Sequence, residues 1–210
     1  MLVEQDSTRA RVIEAAGRIF AAKGFEAATV REICQRGKAN LAAVNYYFGD
    51  KRRLYIAAVE YAYCKRAEQV PFPHWDEHTP PSDKLSDFIL TMLTRMIGKG
   101  PPEWERELLL REVARPSDAC QAMVHDFIRP QFAMLEAILA ELMPQIAPER
   151  RRLVAFSVIG QCLHYRVVQP VIEMLVSAEE FAGYEPKLLA NHITELTLGG
   201  IETIVRHAKR

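Results

Sequence analysis

Two short helices placed back to back, each with its own start and stop signal, constrain this chain more than any other feature. Thr29-Val30-Arg31-Glu32 is a capping box, with Thr29 at the N-cap and Glu32 at N3. It opens a helix whose inner face is Val30, Ile33 and Cys34. Gly37-Lys38-Ala39 makes a turn, and Asn40 caps a second helix with Leu41, Val44 and Phe48 at inward-pointing positions i, i+3 and i+7. Gly49 breaks that helix, and Asp50 caps a longer one reaching about Glu68. Upstream, Val12, Ile13, Ala16, Ile19 and Phe20 share one face of a helix running from Ser7 or Thr8 to Lys23, where Gly24 stops it. Helices this short are marginal alone. Together they predict a trihelical helix-turn-helix unit whose second short helix enters the major groove of DNA.

The chemistry of that second helix suits the task. Ala42 and Ala43 are small enough to let a helix approach base edges and touch thymine methyls. Asn45 can pair with adenine, and the hydroxyls of Tyr46 and Tyr47 suit phosphate oxygens. Lys51-Arg52-Arg53 places cations at the positive end of a helix dipole, an unfavourable arrangement that an approaching phosphate reverses. The expected DNA-contact set is Thr29, Arg31, Asn40, Leu41, Ala42, Ala43, Asn45, Tyr46, Tyr47 and Lys51. Charge divides in the same sense. Residues 1–66 carry 12 Lys+Arg against 7 Asp+Glu, a balance of +5 in a chain whose total is zero. A basic head on an acidic body is what a protein meeting a polyanion at one end would show, although surface charge also fluctuates without function.

Thr29 through Tyr55 resemble the DNA-binding domain of the TetR family, and the likeness extends back through Ala15-Ala16, Phe20 and Gly24-Phe25. The departures are local. Asn45 stands where the family commonly has Tyr, Tyr47 where it has His, and Lys38 where the turn has Gly. Farther on, Leu109-Leu110-Arg111-Glu112, Ile128-Arg129-Pro130-Gln131-Phe132 and the run from Phe156 to Arg166 resemble the C-terminal domain of the CecR-type subgroup. That resemblance implies a homodimer with a small-molecule effector pocket in each body.

The rest of the chain reads as helix with no strand, so the expected fold is all-α. A helix-turn-helix domain over 1–52 is followed by a connecting helix over 50–68 and a ligand-binding and dimerisation bundle over 70–210. The proline-rich stretch from Pro71 to Pro81 marks the boundary. Helices are expected over Ser82–Lys99, ended by Gly100-Pro101-Pro102, then over Glu103–Arg115 and Ser117–Met143, the last kinked at Pro130. Two more are expected, over Glu149–Val168, extending past Pro170 to Val176, and over Pro186–His207. The segment Val154–Val168 is apolar almost all round, as a buried helix should be, yet carries Gln161, His164, Tyr165 and Arg166. Arg111, His125 and Arg129 lie on neighbouring helices. With Trp104 and Phe132 as apolar walls, these nine form the expected ligand-binding set, suited to a partly polar, anionic small molecule. Salt bridges from Arg111 or Arg166 to Glu107, Glu112 or Asp126 are the structural alternative. Leu189, Ile193, Leu196, Gly200 and Ile204 share a stripe assigned, with part of the preceding helix, to the dimer interface, the alternative being a core face within one chain.

Other function classes find less support. An enzyme built on the His, Tyr and Arg cluster at 164–166 would lack a phosphate loop, dinucleotide fingerprint or nucleophile elbow, so no catalytic residue is assigned. The four cysteines form no C-x-x-C pair, and His74 and His78 flank a proline-bounded loop, so no metal or cofactor is expected. Reduced thiols, a charged start and no long apolar run predict a cytoplasmic protein with no membrane partner. The expected partners are an operator in double-stranded DNA, a small-molecule effector and a second copy of the chain.

Overall fold

The computed structural model describes residues 2–98, 100 and 102–208, with side chains from residue 8 onward. Its helices in chain order are α1 (Leu2–Ala27), α2 (Val30–Arg36), α3 (Leu41–Phe48), α4 (Lys51–Gln69), α5 (Pro81–Ile97) and α6 (Glu103–Ala114), followed by α7 (Asp118–Met123), α8 (Arg129–Leu142), α9 (Pro148–Val167), α10 (Gln169–Val176), α11 (Ala178–Ala182) and α12 (Pro186–Ala208). No strand occurs among the described residues. The expected helix end at Lys99 and the stop at Pro101 lie outside the described residues.

The chain forms two compact units that interleave in sequence: residues 1–69 with 100–128, and residues 70–99 with 129–210. The body expected over 70–210 is therefore split between them. The physical reason lies in α6 and α7. Trp104, Leu108, Ala119 and Met123 join the same buried cluster as Val12, Ile13, Phe20, Leu54 and Val59. Leu108 alone, fully buried, contributes on the order of 1.5–3 kcal/mol. Its side chain could not be left in water without that loss.

In the first unit, α1 packs on α2, α4 and α6, while α3 bridges α2 and α4. The ring of Trp104 lies against Gly17, where an added Cβ would stand 2.0 Å from Cζ3 of the indole. Lys38 sits in the turn between α2 and α3 at φ 49°, the left-handed region that favours glycine. Replacing Lys38 by glycine should therefore raise unfolding free energy by about 0.5–1 kcal/mol, read by chemical denaturation. A loss of stability would mean that the lysine side chain holds the turn.

The second unit packs α5 against α8, α9 and α12. Its core includes Leu85, Phe88, Ile89, Leu135, Leu139, Val158, Cys162, Ile193 and Ile201. Burial pushes the Cys162 thiol up to about 12. The proline-rich stretch is anchored at several points. Phe72 stacks on Phe88 at 5.1 Å, the Arg95 guanidinium covers Phe72 at 4.4 Å, and Trp75 donates its indole N–H to Asp87 at 3.0 Å.

Three helix boundaries differ from the sequence expectation. A π-helical turn over Val124–Ile128 interrupts the expected single helix, and Pro130 follows it as the second residue of α8. The helix expected through Pro170 breaks at Val168, with Pro170 in the first turn of α10. Helix α11 was not anticipated, although Ser177 caps it by accepting from the Glu180 N–H at 3.2 Å. The Ser-Ala-Glu-Glu string was its available signal.

Candidate nucleic-acid interface and effector site

Helix α3 owes its register to both ends. Asn40 accepts from the Ala43 N–H at 2.8 Å, and Gly49 donates to the Asn45 carbonyl at φ 80°. Val44 and Phe48 are buried against α2 and α4, and Ala43 and Tyr47 flank them half-buried. The opposite face is open: Leu41, Ala42, Asn45 and Tyr46 are exposed, Tyr46 by 77%. These positions follow i, i+1, i+4 and i+5, one stripe along the helix. Leu41 corrects the inward placement expected for it. It is 56% exposed because, as the first residue of α3, it projects past the turn that covers Val44. A short helix with apolar and amide side chains on its free face can lie in a major groove and read base edges.

Several expected contact residues serve the scaffold first. Thr29 accepts from the Glu32 N–H and returns its own backbone N–H to the Glu32 carboxylate, completing the capping box, and Glu32 also takes the Thr29 hydroxyl and Lys23. Hydrogen bonds from Lys23 and then Thr29 hold the Glu32 carboxyl below its ordinary range. Asn40 spends its carbonyl oxygen on the cap, leaving its amide N–H groups outward. Arg31 is exposed in the first turn of α2. Lys51 donates to the Glu26 carbonyl at 3.2 Å and sits 4.5 Å above the Phe25 ring, which fixes it at the start of α4. The other two cations of its cluster are compensated locally. Arg52 pairs with Asp118, and Asp50, whose carboxylate caps the Arg53 backbone N–H at 2.8 Å, stands 3.9 Å from the Arg53 guanidinium.

The expected ligand set is divided between the two units. Trp104, Arg111 and His125 belong to the first unit, and Arg129, Phe132, Gln161, His164, Tyr165 and Arg166 to the second. Trp104 is a core side chain. Arg111 donates to the Ala21 carbonyl at 2.9 Å, closing α1 where Gly24 turns the chain at φ 79°. The salt-bridge alternative for Arg111 is thereby replaced by a helix C-cap across two elements. His125 is exposed and faces Asp126. Arg129 is exposed at the start of α8, and Phe132 stacks on Phe156 at 5.4 Å. Helix α9, expected to be buried all round, has an open face, and His164 lies on it. Gln161 bonds back to the Ser157 carbonyl, and Tyr165 packs on the core of its unit with its edge to His164.

Sequence reading missed one polar network. Glu112, 1% exposed, accepts from the Tyr55 hydroxyl and from the Ser117 N–H and hydroxyl at 3.2 and 2.7 Å. Burial, reinforced by the Glu112 contact, pushes the Tyr55 hydroxyl well above its ordinary range. Beside this network lies a cleft of about 450 Å³ lined by residues of α1, α4, α6 and α7.

Residues 81–201 match the family model described as the C-terminal domain of the HTH-type transcriptional dual regulator CecR, and residues 12–58 match that of bacterial regulatory proteins of the tetR family. The chain is a TetR-family transcriptional regulator of the CecR type. It is 26% identical to the HTH-type transcriptional dual regulator CecR of Shigella flexneri over 96% of both chains. It is 33% identical to the HTH-type transcriptional repressor NicS of Pseudomonas putida, in a match spanning only 29% of each chain. The solved structure of AibR in complex with isovaleryl coenzyme A and operator DNA shares the fold, with TM-score 0.59 and 18% identity over 91% of this chain and 96% of that one.

The regulator's last helix corrects part of the expected interface stripe. Leu189 and Ile193 are buried in the core of their own unit, 5% and 1% exposed, and so have no surface to offer a partner. Ile204 is half-buried against the same core. Leu196 and Gly200 do lie outside, Leu196 by 55%. A second open seam lies on the preceding long helix, part of which was expected to join the interface. On α9, Leu153, Phe156, Gly160, His164 and Val167 are exposed at spacings of three and four residues. Leu188, His192, Leu196, Gly199 and Thr203 repeat that spacing on α12. No helix among the described residues is long and apolar enough to cross a membrane.

Proposed function

We propose that the regulator is a homodimeric repressor that occupies a palindromic operator and leaves it when a small molecule binds. The observation that carries the DNA half is the free face of α3, with Leu41, Ala42, Asn45 and Tyr46 open and Val44 and Phe48 anchoring the helix behind them. Asn45 and Tyr46 read bases. Ala42 and Ala43 allow close approach, while Arg31, Tyr47 and Lys51 hold phosphates. Lys51 is suited to that role because its anchoring to Glu26 and Phe25 lowers the entropy lost on contact.

The dimer reading rests on the two exposed seams. Apolar residues at 153, 156 and 167 on α9 and at 188 and 196 on α12 alternate with Gly160, Gly199 and Gly200, where an added Cβ would meet nothing within 4 Å. Two helices of one copy meeting the same two of another give an isologous interface with twofold symmetry. Val171, Met174 and Leu175 extend the apolar surface along α10, with Met174 78% exposed. Twofold symmetry places the two α3 helices on half-sites about one DNA turn, ~34 Å, or a small multiple apart. A protein that binds an operator works in the cytoplasm. The solved AibR complex, which holds isovaleryl coenzyme A as well as operator DNA on the same fold, supports a small-molecule site in addition to the DNA-binding one.

Selection of duplexes from a random pool by the purified protein, with salt titration of the winner, tests this reading. A palindromic winner is expected, bound at least about a thousandfold above random DNA. No enrichment, with and without effector candidates, would overturn it. Within that assay, Asn45→Ala and Tyr46→Ala should each cost about 1–3 kcal/mol at one half-site position and relax the base preference there. A loss equal for all sequences would make both residues backbone contacts.

A further inference from the structure

The cleft in the first unit has an apolar floor and a cationic rim. Phe25, Tyr55 and Ile56 form the floor, and Lys23, Arg52, Arg111 and Arg115 stand around it together with Glu26, Glu112 and Asp118. Internal pairing cancels most of this charge. Lys23 is bound to Glu32, Arg52 to Asp118, and both oxygens of Glu112 are taken by Tyr55 and Ser117. Two guanidinium groups keep donors to spare. Arg111 uses one nitrogen on the Ala21 carbonyl, and Arg115, exposed at the C-cap of α6, has no ion-pair partner among the described residues. Guanidinium forks select planar carboxylates, and the aromatic and aliphatic floor selects an apolar group attached to one. The volume of about 450 Å³ falls within the roughly 300–1,000 Å³ typical of small-molecule sites.

We propose that this cleft binds a small amphipathic carboxylate, its anionic end on Arg111 and Arg115 and its apolar end on Phe25, Tyr55 and Ile56. As the site of the effector it rests on the reading of the chain as a ligand-released repressor; as a binding site it does not. The site is built into the reading unit itself. Glu26, whose carbonyl holds Lys51, lines the cleft, and Arg52 follows Lys51 directly. An occupant that shifts this corner moves the start of α4 and with it a phosphate contact.

The test uses the full chain without DNA, titrated with 2-naphthoate and with its neutral isostere 2-naphthamide. Saturable binding of the acid is expected with a dissociation constant of about 10–500 µM, the range a ligand of this size commands. The amide should bind at least about tenfold more weakly, and Arg115→Ala should weaken the acid by a similar factor. Because Arg115 is exposed, that variant keeps its fold; Arg115→Lys, which retains charge without the fork, should recover part of the loss. Backbone amide shifts induced by the acid should centre on residues 23–26 and 115–119. Equal binding of acid and amide, no effect of Arg115→Ala, or shifts centred elsewhere would overturn the site. Since no DNA is present, those outcomes leave operator binding untouched, and failed operator selection would leave the site standing.

Discussion

Phe156→Glu should halve the molecular mass of the protein in solution and weaken operator binding by at least about a hundredfold. The side chain is 58% exposed on the open face of α9, so a carboxylate there costs the isolated chain chiefly the stack on Phe132, about 0.5–1.5 kcal/mol. In a twofold interface the same substitution places a charge near its copy in a desolvated seam, where central residues cost about 2–4 kcal/mol or more when removed. The loss on DNA follows from geometry. A dimer converts the second half-site contact into an intramolecular event, and that advantage is typically 10²–10⁴-fold. Light scattering with size-exclusion chromatography gives the mass, and titration of the selected operator gives the affinity. Met174→Glu on α10, more exposed still, is the comparison. A Phe156→Glu protein of unchanged mass would move the interface off α9.

Gly17→Ala should destabilise the protein by about 2–3 kcal/mol, although alanine in a helix interior ordinarily gains about 1 kcal/mol over glycine. The added methyl would stand 2.0, 2.6 and 2.7 Å from three carbons of the Trp104 ring, well inside contact distance. Trp104 is 5% exposed in a cluster with Phe20, Leu54 and Leu108, so the ring cannot step aside without opening a void elsewhere. Thermal unfolding should shift down by roughly 4–12 °C for a chain of this length. Trp104→Phe in the same background should recover part of the loss by shortening the ring that collides. A stabilised Gly17→Ala variant would show that α1 and α6 do not approach this closely.

The contrast between Val44 and Leu41 shows where sequence reading reaches its limit. Both are apolar and share the inward spacing of α3, yet Val44 is 1% exposed and Leu41 56%. Periodicity specifies a face; it does not specify how far the neighbouring helices extend along it. The same limit governs α12, where Leu189, Ile193 and Leu196 read as one stripe and divide between core and surface. Helix α9 shows the reverse error. Its apolar residues surround the helix, which suggested burial, but one side is open and suits a second copy of the chain. A single-chain reading has no means of separating burial within a chain from burial between chains, because both demand the same side chains.

The sequence by itself determined the frame of the reading head: capping box, turn, Asn40 cap, Gly49 stop and the Asp50 cap of the next helix. Those features are legible because the hydrogen bonds that make them join residues two to four apart, as Thr29 to Glu32 and Asn40 to Ala43 do. Only the tertiary structure decided what α6 and α7 do. Arg111 closes α1 from 90 residues away, and Tyr55 meets Glu112 across 57. Nothing in either residue's neighbourhood in sequence announces its partner. Arg111 read as a ligand contact because a guanidinium among apolar residues needs an acceptor, and only the fold could show that one of its nitrogens is taken by the Ala21 carbonyl of α1. The cleft arises for the same reason. Helix ends that are far apart in the chain converge because Trp104 and Leu108 must be buried, and the space left between them belongs to no single segment.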